Sequence, residues 1–187
     1  MRQVEGRPPD PAGGKQGKMN TVESWVMVLA AFGVMAHTPG VHYVFSLFFV
    51  ELLEEFPSQS RAAVAGCGSL STCIMLGAAY LSGKLQVRFT GELVVLMGGV
   101  AASVGLLLAS YSTQLWHLYA TFGVLVGFSH AMTFPPSPVI VSRWFDESRR
   151  GLACGMATSG SGAGTIYLGA IAPLLYRRLG GWRGAFR

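Results

Sequence analysis

Five stretches of this 187-residue chain, 25–50, 62–81, 93–111, 115–141 and 152–175, contain no Asp, Glu, Lys or Arg. The 14 basic and 9 acidic residues all fall between or outside those stretches. An ionised side chain at the centre of a bilayer costs roughly 3 kcal/mol even on a lenient insertion scale, so the gaps in the charge pattern mark where hydrocarbon is expected. Each stretch is near or above the roughly 20 residues that a helix needs to cross. Helix is the state expected of them, because a lone segment in lipid must satisfy its own backbone hydrogen bonds. The composition agrees: 51% of residues are hydrophobic and 12% charged, where soluble domains carry about a quarter charged residues. The expectation is an all-α, polytopic transmembrane helix bundle of five spans, with the start of a sixth.

The first twenty residues are rich in Pro, Gly and Lys and have no apolar core. They fit a disordered tail rather than a cleaved signal peptide. Two domains follow, a tail at 1–21 and a partial transmembrane domain at 22–187. The net charge of +5 does not point to nucleic acid, because the basic residues form neither a dense run nor a stripe interleaved with exposed aromatics. Cys67, Cys73 and Cys154 are odd in number, lie inside spans and lack the spacing of metal ligands, so they read as small packing residues. No nucleophile–base pair, carboxylate pair or metal constellation lies in the spans, so neither an enzyme nor a cofactor is expected.

Orientation follows from Lys and Arg in the short flanks. With the amino terminus in the cytoplasm, Arg2, Arg7, Lys15, Lys18, Lys84, Arg88, Arg143, Arg149 and Arg150 lie inside. Arg61, Arg177, Arg178, Arg183 and Arg187 lie outside. That split favours a cytoplasmic tail, against the basic cluster after span five. Small residues throughout the spans suit close helix packing. Pro135, Pro136 and Pro138 remove backbone donors near the end of span four and are expected to bend or loosen it, as a distorted helix end or as a hinge.

The most informative segment runs Arg143-Trp144-Phe145-Asp146-Glu147-Ser148-Arg149-Arg150-Gly151-Leu152-Ala153-Cys154-Gly155-Met156-Ala157 and on to Gly160, Gly162 and Gly164. It resembles the segment between the fourth and fifth helices of the monocarboxylate transporter family of the major facilitator superfamily. That family shows an aromatic pair, a basic cluster, Leu-Ala-x-Gly and a glycine-rich helix. Here the link from the aromatic pair to the arginines is one residue longer and carries Asp146 and Glu147. Three further segments carry the likeness: Trp25 with the 26–32 run and Phe48-Phe49-Val50-Glu51; the loop after span two, Gly83-Lys84-Leu85-Gln86-Val87-Arg88-Phe89-Thr90-Gly91; and Gly181-Trp182-Arg183-Gly184-Ala185-Phe186, which is similar to the lead-in to the family's sixth helix. In the loop the acidic position has become Val87.

On the residues alone, Trp144 and Phe145 are expected at the membrane interface. Arg143, Arg149 and Arg150 belong to the cytoplasmic headgroup layer, as anchors or as gating groups, and Gly155, Gly160 and Gly164 belong to helix packing. The polar side chains at plausible depth are His37, His42, Tyr43 and His130, with the hydroxyls of Thr38, Ser69, Ser71 and Thr72. They line a solute pathway or are packed and hydrogen-bonded between helices. In lactate carriers of the family a first-helix lysine accepts proton and carboxylate. The gapless alignment puts Tyr43 there, with His42 beside it.

The resemblance implies a plasma-membrane secondary carrier, or part of one, for a small organic anion such as a monocarboxylate, by symport and alternating access of two helical halves. It also implies an immunoglobulin-like single-span escort or a full-length carrier as partner, beside membrane lipids. The alternative is a truncated, non-transporting membrane protein that associates with such a carrier. With the spans counted above, the chain expressed alone is expected to insert without transporting. The topology is tested with a cysteine-free variant carrying a single Cys at Ser148. Labelling is expected only after the membrane is permeabilised, and labelling from outside intact cells would overturn the orientation.

Overall fold

A computed structural model of the protein describes residues 21–179 and 181–186, and among them the regular structure is helical. Of the tail assigned to 1–21, residues 1–20, with Arg2, Arg7, Lys15 and Lys18, lie outside the described residues, as does Arg187. The first span is α1 (Val22–Leu47), continued by α2 (Phe49–Glu55). The second is α3 (Arg61–Gly77) and α4 (Ala79–Arg88), the third α5 (Gly91–Ser110). The fourth is built from α6 (Leu115–Leu118), a π-helical segment (Tyr119–Val126), α7 (Gly127–Thr133) and α8 (Pro136–Ser142). The stretch expected as a fifth span falls in α9 (Glu147–Leu179), and α10 (Trp182–Ala185) follows.

Three of these, Val22–Leu47, Gly91–Ser110 and Leu115–Ser142, are long and apolar enough to cross a membrane, and the bent pair α3 and α4 counts as a fourth when taken as one broken span. At 33 residues α9 has ample length, about 50 Å at 1.5 Å per residue. Its Gly, Ser and Thr content lowers its apolarity below that of the other spans.

Two boundaries differ from the sequence expectation. The segment after span two is not a loop. The helix bends by 42° between Gly77 and Ala79, and α4 then continues to Arg88. The backbone stays hydrogen-bonded through the bend, Ala78 N–H to Ile74 O at 2.8 Å and Ser82 N–H to Ala78 O at 3.1 Å. Hydropathy marks only the apolar part of a helix, so a polar continuation such as α4 escapes it. Arg88 in the last turn also suits the negative end of the helix dipole. The prolines, for their part, loosen span four very little. Only Phe134 and Pro135 leave the regular helix, and both keep right-handed helical dihedrals. Phe134 N–H still reaches His130 O at 2.9 Å, and the buried Ser137 hydroxyl donates to Thr133 O at 2.6 Å.

Two apolar cores flank the middle of the bundle. The one toward the carboxyl-terminal end of α1 gathers Phe45, Phe48, Leu52, Leu118, Phe122, Trp182 and Phe186. The one toward the amino-terminal end of α1 gathers Val28, Ala31, Val141, Phe145, Ala153 and Ala157, with Trp25 and Trp144 packed against it. Phe145 is thus not an interface residue. It is buried, with the Trp25 ring edge-on at 5.1 Å, because the short turn after α8 points it back under α1 and α9.

Between the cores α1 and α9 make the most extensive helix pair in the bundle. A Cβ at Gly160 would collide with the Phe32 carbonyl, and one at Gly164 with the Ala36 carbonyl. Gly40 faces the Leu168 side chain and the Gly164 carbonyl in the same way. The contacts at Gly160 and Gly164 are backbone on backbone, so no rotamer change relieves them. At Gly155 and Gly162 of α9, by contrast, a methyl group would have no neighbour within 4 Å. Close packing therefore accounts for Gly160 and Gly164 but not for Gly155, which faces away from α1. Gly164→Ala is expected to destabilise the bundle by about 1–3 kcal/mol. Gly162→Ala is expected to be neutral or slightly stabilising. Detergent-induced unfolding of the two variants, followed by circular dichroism, measures the contrast, and equal midpoints would contradict the packing described.

Candidate functional site

The only titratable side chains that the spans bring together in the middle of this apolar bundle, among the described residues, are histidines. His130 sits on α7 between Ser129 and Ala131, both buried, and is itself 0% exposed. Its Nδ1 lies 3.3 Å from Nε2 of His42 on α1, a hydrogen bond in which either ring supplies the hydrogen. The two rings meet edge-on with centroids 5.2 Å apart. His37, more than a turn earlier on α1, presents its ring edge-on to His130 at 6.2 Å. The second nitrogen of His130, Nε2, is buried and has no partner.

Phe122 completes the surroundings. Its ring stands edge-on to His42 at 6.0 Å and stacks on Phe45 at 4.5 Å. It belongs to the π-helical segment, whose wider turn leaves backbone groups without the partners an α-helix would give them. Side-chain donors serve the carbonyls around it. Thr121 donates to His117 O at 2.8 Å, the Cys67 thiol of α3 to Leu118 O at 3.4 Å, and Ser129 to Val126 O at 2.7 Å. The Tyr119 hydroxyl, at the start of the segment, donates to Ala63 O at 2.6 Å and ties it to α3. Gly127 lets α3 approach, since a Cβ there would stand 2.7 Å from Ser71 O. The sequence offered a signal for this in Gly123 and Gly127, four residues apart and flanked by hydroxyls, but apolar periodicity does not separate a π turn from an α turn.

His42 also lines an open pocket of about 460 Å³ between the carboxyl-terminal half of α1 and the amino-terminal half of α3, with Phe45, Phe49, Ser69 and Thr72 among its walls. Its hydroxyls are engaged on their own helices: Ser46 donates to His42 O at 3.2 Å, Ser69 to Ala65 O at 3.3 Å and Thr72 to Gly68 O at 3.2 Å. A smaller cavity of about 120 Å³ on the other side of α1 is apolar except for His37, with Leu106, Leu168 and Phe186 in its walls. Tyr43 is not part of the histidine group. It is 45% exposed and lies against Gly169 of α9. Thr38 and Ser71 are buried, Thr38 donating to Val34 O at 3.3 Å.

Arg143, Arg149 and Arg150 are exposed. The last two stand in the first turn of α9, with their N–H groups on Asp146 O at 3.0 and 2.9 Å. At the opposite end a cluster joins the ends of the first and third spans to α10. Glu55 of α2 accepts from the Trp182 indole and forms an ion pair with Arg183 of α10, and Arg183 also donates to Ser112 O at 2.7 Å after α5.

Comparison with known proteins agrees with this architecture. The sequence profile of the Major Facilitator Superfamily matches residues 24–187. Monocarboxylate transporter 12 of Xenopus laevis is 37% identical over 161 residues, which cover 86% of this chain and 34% of the relative. Monocarboxylate transporter 12 of Homo sapiens is 37% identical over 161 residues, with 86% and 31% covered. Monocarboxylate transporter 13 of Rattus norvegicus is 37% identical over 163 residues, with 86% and 37% covered. The chain spans about a third of the length of these curated relatives. It belongs to the Major Facilitator Superfamily, and within the superfamily it is similar to monocarboxylate transporters.

Proposed function

We propose that the protein serves the transmembrane transport of a small organic solute, a monocarboxylate by the chemistry of its pocket and the names of its relatives, as a secondary carrier or part of one. The observation that carries the reading is His42. It is a polar side chain in the membrane, hydrogen-bonded behind by a fully buried histidine and open in front to a pocket of about 460 Å³. Polar groups at such depth are costly, and they mark solute pathways when they face a cavity. A pocket of this size lies within the usual range for small-molecule sites, mostly apolar with a few polar groups that orient the ligand. Here Phe45 and Phe49 supply the apolar wall, and His42 supplies the group that meets the anionic end.

His42 rather than Tyr43 holds that role, because Tyr43 is turned to α9. Superfamily members bind solute between two helical halves, so the pocket is one wall of the pathway. Arg143, Arg149 and Arg150 act at the cytoplasmic face, and the amino terminus lies inside. The decisive measurement is equilibrium binding of radiolabelled short monocarboxylates to the purified chain in lipid nanodiscs, beside uptake into proteoliposomes. Saturable binding is expected, weakened about tenfold in His42→Ala by loss of a hydrogen bond to a charged oxygen and changed less than about twofold in Tyr43→Ala. Equal effects of the two substitutions, or none from His42→Ala, would remove the pocket from the pathway.

A further inference from the structure

The contact between His130 and His42 contains a single hydrogen, and its position is decided by the far side of His130. If His42 Nε2 donated, His130 Nδ1 would accept, and the hydrogen of neutral His130 would sit on Nε2. That nitrogen is buried and partnerless, so the arrangement leaves an orphan N–H in the interior. A charged ring at either position leaves the same orphan, because His130 then carries its hydrogen on Nε2 as well. One arrangement avoids it: His130 carries its hydrogen on Nδ1 and donates to His42, and Nε2 is a bare acceptor. Buried N–H groups without partners are rarer in proteins than acceptors left short.

The consequence falls on His42. Its Nε2 is occupied as an acceptor, so a neutral His42 must carry its hydrogen on Nδ1. No partner for that nitrogen exists among the described residues, and the ring lines the pocket. The hydroxyls of Ser46, Ser69 and Thr72 spend their hydrogens on the carbonyls of their own helices. The donor offered to an incoming oxygen is therefore His42 Nδ1–H.

We propose that His130 is a positioning residue: through its Nδ1 it fixes His42 as the tautomer that carries hydrogen on Nδ1, so that the pocket meets the carboxylate oxygen of a solute with a neutral hydrogen-bond donor. The carboxylate part rests on the transport reading above, whereas the tautomer does not. A π-helical turn immediately before α7 and the donors that stabilise it set the rotation at which His130 faces His42, which gives that irregular segment its purpose.

The test is 15N NMR of the full chain labelled at histidine in lipid bilayers without added solute, with His42 signals identified by their loss in His42→Gln. The expected native pattern is a protonated Nδ1 and a bare Nε2 on both His42 and His130. His130→Asn places an amide nitrogen where Nδ1 stood and is expected to keep the His42 tautomer. His130→Leu is expected to release His42 to the Nε2–H form that free imidazole favours, and to weaken binding of propanoate about tenfold, against less than about threefold for His130→Asn. Hydrogen on Nε2 of native His42, or a tautomer unchanged in a folded His130→Leu, overturns the proposal. The native pattern is read without His130→Leu, so misfolding of that variant cannot shield the proposal. If the native tautomer is found and propanoate binds to no form of the chain, the positioning role stands and the monocarboxylate reading fails.

Discussion

Hydrocarbon offers no hydrogen bonds, and every polar group inside the bundle is arranged around that constraint. The backbone answers it with helices, and the hydroxyls answer it by bonding to the backbone. Hydroxyls in α1, α3, α5, α7, α8 and α9 donate to carbonyls three or four residues earlier on their own helices or the turn before them. Where the backbone departs from the α pattern, donors from other residues appear at the departure, as Thr121, Cys67 and Ser129 do around the π-helical segment. The histidine pair follows the same rule from two different helices. What stands out against this background is the small set of groups left unserved, among which His130 Nε2 belongs to a fully buried ring whose partner lines a cavity.

The α1–α9 contact decides where those groups meet. A helix whose neighbour approaches until a Cβ would strike its carbonyls cannot rotate freely. Ala36 and Phe32 are held against Gly164 and Gly160, and Tyr43, on the same side of α1, is held against Gly169. With that face committed, His42 is turned toward Phe122 and His130. The carboxyl-terminal end of α2 is tied independently to α10 by Glu55 with Trp182 and Arg183. That ion pair is about one third exposed, so its worth is modest, roughly 1 kcal/mol, and its main effect is to register α2 against α10.

How much of this was legible in the sequence varied with the physics each feature depends on. The all-α membrane class could be read because the cost of a buried charge is large and local, and the major facilitator likeness because its segments occur in order. Gly160 and Gly164 were recognisable as packing residues, yet Gly155 in the same stripe was not distinguishable from them. Spacing gives relative rotation along a helix, whereas only a neighbour gives absolute rotation. The same lack of a reference direction put Tyr43 beside His42 in the expected pathway. Phe145 was misplaced at the interface because an aromatic ring next to a basic cluster suits either a headgroup layer or a core. The bend at Ala78 and the π segment left no mark in hydropathy, since both preserve apolar composition while changing only the backbone.

The low apolarity of α9 belongs to the same account. A span needs apolar side chains where it meets lipid and small ones where it meets another backbone. In α9 the large apolar residues Leu152, Ile166, Tyr167 and Leu174 are all well exposed. The opposite face is Gly and Ala against α1. Averaged over the helix, the two faces dilute each other, although α9 makes the most extensive helix contact in the bundle. Its glycines add little hydrophobic driving force. They allow two backbones to approach, and dispersion over that long dry contact supplies the attraction. A rigid α1 is the result, and a pocket whose one open imidazole hangs from α1 needs that rigidity. A ring free to drift by an ångström would lose both the hydrogen bond behind it and the one it offers in front.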